Sequence, residues 1–389
     1  VPRELTAEPA TRPGAKVAHR RVGLLEWPYL SSPAETSDLK RLLPWVGLVI
    51  SIVLLWLALR GLHLAEVWRY LQRARYGWIV PGVLVYMLGV VARTWRWHYM
   101  LRPFRSVPLR RLFPLVCIGY AGNNIYPARA GEVIRSYVLK RNEAIPMSGS
   151  LATVLVERIF DGLVMLLFVF VALPFAAEVL GAYRLWVIGF SLLFGLALVV
   201  FMVVAARPAL VRAGYARLVR WLPGGRWQAR VGGLVERFVF GLSCLTRPRD
   251  VLMIFVTSVV IWLAETVKYW FVMHAFDFEV SFLVLMLMNG IVNLFTTLPA
   301  APGYIGTFDA PGIAILEVVG GVRGEVAAAY TLVLHAALWL PITLLGIVYF
   351  YRAQIHRSDW TRAVQQVAAA DEEPFVEPSP SSSSFPSRS

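Results

Sequence analysis

Long apolar runs separated by short, arginine-marked polar segments dominate this chain, and their length predicts helices rather than strands. Leu42–Leu59, Trp78–Leu101, Met147–Leu173, Leu185–Ala206, Val251–Phe276 and Val326–Tyr351 each approach or exceed what a crossing of the roughly 30 Å hydrocarbon core requires. Two other runs stop about half-way. Leu112–Tyr126 meets Pro127 and Gly131 before the chain resumes at Gly131–Arg141, and Phe282–Leu298 meets Pro299, Pro302 and Gly303 before Ile313–Val319. Breakers at membrane depth leave amides without helical partners, which lipid tolerates only where protein or a wet cavity satisfies them. Both runs therefore read as re-entrant hairpins that line something. Leu64–Arg75 places Leu64, Val67, Trp68 and Leu71 on one face and Arg69, Arg73 and Arg75 off it, as in an interfacial helix. The expected fold is an all-α polytopic membrane protein with about six full spans plus two re-entrant broken hairpins.

Charge orients this pattern. Lys and Arg upstream of Leu42 place the N-terminus inside, and the same rule places Arg102–Arg111, the arginine-rich stretch 207–249, and Arg352 and Arg357 inside. The first hairpin is then flanked by cytoplasmic cations, whereas the second enters and leaves outside. Pro127-Ala128-Arg129-Ala130-Gly131 aligns with Pro299-Ala300-Ala301-Pro302-Gly303, and the same offset lays Arg93 and Arg96 on Glu265 and Lys268. The two halves, about 77–173 and 250–351, are thus expected to form an inverted repeat with a midplane binding site. Residues 1–41 read as a cytoplasmic tail, 42–352 as the membrane domain, 207–249 as an amphipathic cytoplasmic insert and 353–389 as a disordered tail. Both termini are expected in the cytoplasm, with the protein in the cytoplasmic (inner) membrane.

Composition agrees with a lipid environment: 58% of residues are hydrophobic, 16% are charged, and mean hydropathy is +0.61. A net charge of +14 raises the question of nucleic acid. The cations, however, sit between apolar runs, where they orient the chain and meet anionic lipid, so no nucleic-acid partner is expected. Cys117 and Cys244 have no CxxC spacing and the six histidines are scattered, so neither a metal site nor a cofactor is expected.

The candidate chemistry is ionic. Arg129 and Arg135 are suited to bidentate capture of a lipid phosphate, with Glu132 holding Arg135 from three residues away. Glu157, Arg158 and Asp161 lie about 15 Å into their span; Glu157 and Asp161 share a face and Arg158 reaches Asp161. They serve either a cationic-headgroup or proton-coupled site or a buried structural ion pair. Glu265 and Lys268 are expected to pair with each other, at a depth matching Arg93 and Arg96. Asn123, Asn124, Asn289 and Asn293 are expected to satisfy broken backbone and only secondarily to touch a headgroup, Asn123 and Asn124 lying on the lipid path, and Asp309 to cap the helix returning from the second hairpin. Pro302, Gly303 and Gly306 form the break itself.

At Asn124-Ile125-Tyr126-Pro127-Ala128-Arg129-Ala130-Gly131-Glu132-Val133-Ile134-Arg135, at Glu157-Arg158 with Asp161, and at Pro302-Gly303-Tyr304-Ile305-Gly306-Thr307-Phe308-Asp309, the chain resembles the lysylphosphatidylglycerol synthase transmembrane (flippase-domain) family over about residues 42–352. The resemblance implies movement of a lipid with a polar or charged headgroup between leaflets, or a related role with polyprenyl-linked sugars in cell-envelope assembly. The aminoacyl-transferase domain of the family's fused members is not expected after Tyr351, so no enzymatic activity is implied. The leading expectation is a lipid translocase acting on anionic phospholipid headgroups or polyprenyl phosphate, beside a separately encoded lipid- or glycan-modifying enzyme. The alternatives are a polyprenyl-phosphate-dependent glycosyltransferase and a non-transporting membrane partner recruiting envelope enzymes through 207–249.

Overall fold

A computed structural model describes residues 33–126, 130–176, 184–205, 217, 248–298 and 300–353. All regular structure among them is helical. The helices are α1 (Pro33–Leu59), α2 (Leu64–Arg73), α3 (Ile79–Leu101), α4 (Leu109–Ile125), α5 (Ala130–Glu143), α6 (Met147–Ala172), α7 (Arg184–Ala205), α8 (Pro248–Met273), α9 (Phe282–Phe295), α10 (Asp309–Val318) and α11 (Gly324–Arg352). Helix α1 begins at Pro33 rather than at Leu42. The tails 1–32 and 354–389, and nearly all of the 207–249 insert, lie outside the described residues.

Three helical stretches, Tyr76–Leu101, Pro248–Met273 and Gly324–Arg352, are long and apolar enough to cross a membrane, and α1 with α2 makes a fourth if the 86° bend between them belongs to one span. Helix α6 has the length, 26 residues, but Glu157, Arg158 and Asp161 interrupt its apolar run. Beyond the bend α2 packs against α11. There Val67 is buried while Leu64 and Trp68 stay exposed, so the expected single apolar face is divided between protein and surroundings.

The helices sort apolar groups outward and charged groups inward. Val80, Leu84, Leu88 and Val91 form an exposed stripe on α3, and Leu252, Val256 and Val260 do the same on α8. On the opposite faces Arg93, Arg96, Glu265 and Lys268 are buried. That is the reverse of a water-soluble bundle and the arrangement of a membrane one, where ionisable groups turn toward the interior.

Packing follows a reciprocal plan. Helices α3 and α8 lie against each other; α4 packs on α11 and α9 on α6; α3 touches α11 and α8 touches α6; α5 packs on α6 and α10 on α11. Small residues set the close approaches, as expected where backbones must meet in lipid. A Cβ on Gly346 of α11 would lie 2.3 Å from the Cys117 carbonyl oxygen of α4, and one on Gly290 of α9 would lie 2.8 Å from that of Met165 in α6.

Candidate functional site

Helices α4 and α5 close like a clasp: a Cβ on Gly131 would fall 1.9 Å from the Gly119 carbonyl oxygen, so only glycine permits the two limbs to touch. This contact carries α5 across the bundle and delivers Glu132 and Arg135 to α6. Arg135 Nη2 donates to Glu157 at 2.6 Å, and Arg158 pairs with Glu132 at 2.5 Å. Neither pair is the expected one. The expected holding of Arg135 by Glu132, and of Asp161 by Arg158, gives way to cross-helix pairing, because the clasp brings an oppositely charged neighbour nearer than the next turn.

Asp161 is gripped instead by Arg96, whose two terminal nitrogens donate to its two oxygens at 2.7 and 3.1 Å. Trp262 Nε1 adds a third donor at 3.0 Å. Arg96 also lies 3.8 Å from Glu157, linking the two carboxylates. On the other side Arg93 donates to Glu265 at 2.9 Å, and Lys268 pairs with the same carboxylate as expected. Aromatic rings cover the cations: Arg135 lies 4.6 Å from the Trp97 ring centre, Arg93 lies 5.1 Å from that of Trp262, and Lys268 lies 4.6 Å from that of Tyr86. Within this network five cations, Arg93, Arg96, Arg135, Arg158 and Lys268, face four carboxylates, Glu132, Glu157, Asp161 and Glu265. Among the described residues the cations of this network outnumber its carboxylates by one, because Arg93 and Lys268 share Glu265. Arg96 Nε and Arg135 Nε have no acceptor among the described residues, so guanidinium donors also remain unspent.

The network encloses a cavity of about 20 Å³, which adjoins a larger one of about 270 Å³; Arg93, Tyr120, Asn123, Arg158 and Asp161 line both. The far wall of the larger cavity is the second hairpin, through Asn293, Thr297, Gly303, Tyr304 and Phe308, and behind them His335 and Trp339 of α11. Helix α4 of the first pair and the turn of the second therefore face one space. Arg158, with 38% of its side chain exposed, is its most accessible ion-paired cation.

The asparagines behave differently from the expectation that they serve broken backbone. Asn124 donates to Thr343 Oγ1 and Asn289 to the Trp262 carbonyl and Thr266 Oγ1, all on neighbouring helices, while Asn293 bonds Asn289 one turn back. They tie helices together. Asn123 Oδ1 has no partner among the described residues. Asp309 begins α10 and accepts the Gly306 amide at 2.9 Å, a hairpin contact rather than a simple cap, and its other oxygen meets His335. Gly306 does not line the cavity; with φ +81° and its Cβ direction 2.3 Å from the Ser51 carbonyl oxygen, it seats the hairpin against α1. Ser51 Oγ also accepts the Ala301 amide, and Pro302 opens the short turn Pro302–Tyr304. Arg129 and Pro127 lie outside the described residues.

Several members of the site were not singled out in the sequence: Tyr86, Tyr120, Ser258, Trp262, His335 and Trp339. Trp262 had a signal, lying one turn before Glu265 on the same face. His335 had one too, as an ionisable residue in an otherwise apolar span.

A helical bundle with an apolar exterior and a charged, aromatic-lined interior between two interrupted helix pairs is the architecture of a polytopic membrane protein. The chain matches the family described as lysylphosphatidylglycerol synthase TM region over residues 45–346, and it belongs to that family. It is similar to a UPF0104 membrane protein of Methanothermobacter thermautotrophicus, 24% identical over 316 residues that cover 77% of this chain and 92% of the relative. A UPF0104 membrane protein of Methanocaldococcus jannaschii is 22% identical over 310 residues, 77% of this chain and 92% of that protein. Glycosyltransferase AglD of Haloferax volcanii is 25% identical over 334 residues, 77% of this chain and 52% of that protein.

Proposed function

We propose that the protein is a carrier rather than an enzyme: a lipid translocase that passes an anionic headgroup, phospholipid or polyprenyl phosphate, through the cavity between the two hairpins while the acyl or prenyl tails stay in the bilayer. The observation that carries this reading is the surplus positive charge of the buried network at a cavity bounded by α4 and by the turn of the second hairpin. Burying ion pairs is a poor route to stability, since desolvation offsets most of their attraction, so seven buried charged groups ask for another reason. A phosphate entering beside Arg158 supplies the missing negative charge.

The reciprocal packing supports the inverted repeat. Exchanging α3 with α8, α4 with α9, α5 with α10 and α6 with α11 maps the α3–α8 contact onto itself and pairs α4–α11 with α9–α6, α3–α11 with α8–α6 and α5–α6 with α10–α11. In this reading the domain has six full spans, α6 and α7 among them, and alternating access is a rocking of the two halves about the α3–α8 seam. In this reading both termini are cytoplasmic, in line with the charge bias of the loops, and the protein sits in the cytoplasmic membrane. Glu157 and Asp161 act here by holding Arg135 and Arg96 in place. A second reading has one observation in its favour: the name of the AglD relative points to glycosyl transfer. Under it, this domain handles a polyprenyl-linked sugar for a separately encoded enzyme.

Headgroup accessibility in proteoliposomes tests the proposal, with phosphatidylglycerol, aminoacyl-phosphatidylglycerol and polyprenyl-phosphate probes and Arg158→Gln beside the unaltered chain. Selective movement of one probe, reduced at least about tenfold by the substitution, supports translocation and names the cargo; a loss of ~1.4 kcal/mol in a charge-assisted contact gives that factor. No movement of any probe, with or without a pH gradient, overturns it in favour of the scaffold or transferase readings.

A further inference from the structure

His335 of α11 stands between two acceptors. Its Nδ1 lies 2.8 Å from Asp309 Oδ1 and its Nε2 lies 2.7 Å from the Gly303 carbonyl oxygen. A neutral imidazole has one N–H and one lone pair, so it satisfies one of these contacts and sets a lone pair against an oxygen in the other. Both contacts are bonds only when the dyad holds an additional proton on the Nδ1–Oδ1 axis. The surroundings fit such a proton: the carboxylate is fully buried, its second oxygen is occupied by the Gly306 amide, and the Phe308 ring centre lies 4.5 Å from the imidazole.

We propose that His335 and Asp309 form a proton-binding clamp on the second hairpin. In its protonated form the dyad pins the hairpin at two points, the Gly303 carbonyl and the Gly306 amide. Between them the backbone is strained: Gly303 and Gly306 have φ of +77° and +81°, and Tyr304, a residue with a side chain, has φ of +60°. A turn of this kind persists only while its surroundings fix it. Release of the proton to water in the adjoining cavity leaves two lone pairs opposed at one end of the imidazole or the other, and frees the turn to rearrange. The charged groups that line the same cavity, Arg93, Arg158, Asp161 and Glu265, are each engaged in ion pairs of their own. Tyr86, Tyr120 and Tyr304 are the remaining titratable groups on its walls.

The clamp moves the proton-coupled role away from Glu157 and Asp161, which are held by arginines, to the hairpin that carries little charge. Coupling of a proton to lipid movement rests on the translocase reading; the clamp itself does not. A nitroxide at Ile305→Cys, an exposed position between the two pinned points, tests it in a Cys244→Ser background of the full chain in nanodiscs without added cargo. The expected result is a reversible one-proton change in label mobility over the pH range in which the protein stays folded, absent in His335→Gln and in Asp309→Asn. A spectrum unchanged across that range in the unaltered chain overturns the clamp, whether or not the variants fold. So does a transition that persists in either variant. Because no lipid movement is read, failure here is distinct from failure of the translocase reading.

Discussion

In the first hairpin the two limbs touch at Gly131 and Gly119, and the returning helix presents Glu132 and Arg135 to a partner span, each locked into an ion pair there. In the second, the limbs are separated by a short strained turn whose backbone is held group by group: the Ala301 amide by Ser51, the Gly306 amide by Asp309 and the Gly303 carbonyl by His335. One hairpin closes by direct packing of its limbs, and its returning helix carries charge. The other holds its turn with neighbouring side chains and is thereby dependent on them. Under the proposed translocation, the difference gives the halves of the cavity unlike tasks, ionic capture on one wall and a movable turn on the other.

Breaking the ionic wall should have the largest effect. Arg96→Met strips Asp161 of its bidentate partner in a buried site, and loss of one member of a buried pair costs about 3–5 kcal/mol, measured by unfolding in mixed detergent. The double change Arg96→Met with Asp161→Leu should restore much of that loss, since it removes the orphaned charge as well. Gly131→Ala tests the clasp: overpacking against backbone should cost about 1–3 kcal/mol and lower the midpoint of thermal unfolding. Asn289→Ala, which cuts the tie from α9 to α8, should cost about 1–2 kcal/mol by the same assay. Glu66→Gln, on exposed pairs with Arg69 and Arg323, should change stability by less than about 1 kcal/mol. A cost for Glu66→Gln equal to that for Arg96→Met would show that burial of charge is not what distinguishes the ionic wall.

Much of this arrangement was legible in the chain. Proline and glycine mark both breaks, and the offset that pairs Pro127 with Pro299 also pairs Arg93 with Glu265, which meet directly across the α3–α8 seam. What the sequence withheld was partnership. Spacing along one helix suggested Glu132 with Arg135 and Arg158 with Asp161, whereas the closed clasp and the α3–α6 contact deliver nearer partners from other helices. His335 was passed over because histidines were weighed only as metal ligands; its two acceptors come from a turn and a helix start more than twenty residues away. The asparagines were likewise assigned to local backbone when packing offers them neighbouring helices.

The central claim is that both hairpins face one headgroup. Photo-crosslinking tests it most directly, with a phospholipid carrying a diazirine in its headgroup and the protein in liposomes, followed by peptide mapping. The account predicts adducts on peptides from both walls, around Tyr120–Asn123 and around Tyr304–Phe308 or Trp339, and their joint reduction by Arg158→Gln. Adducts confined to the outward stripes of α3 and α8, with the cavity walls unlabelled, would contradict it.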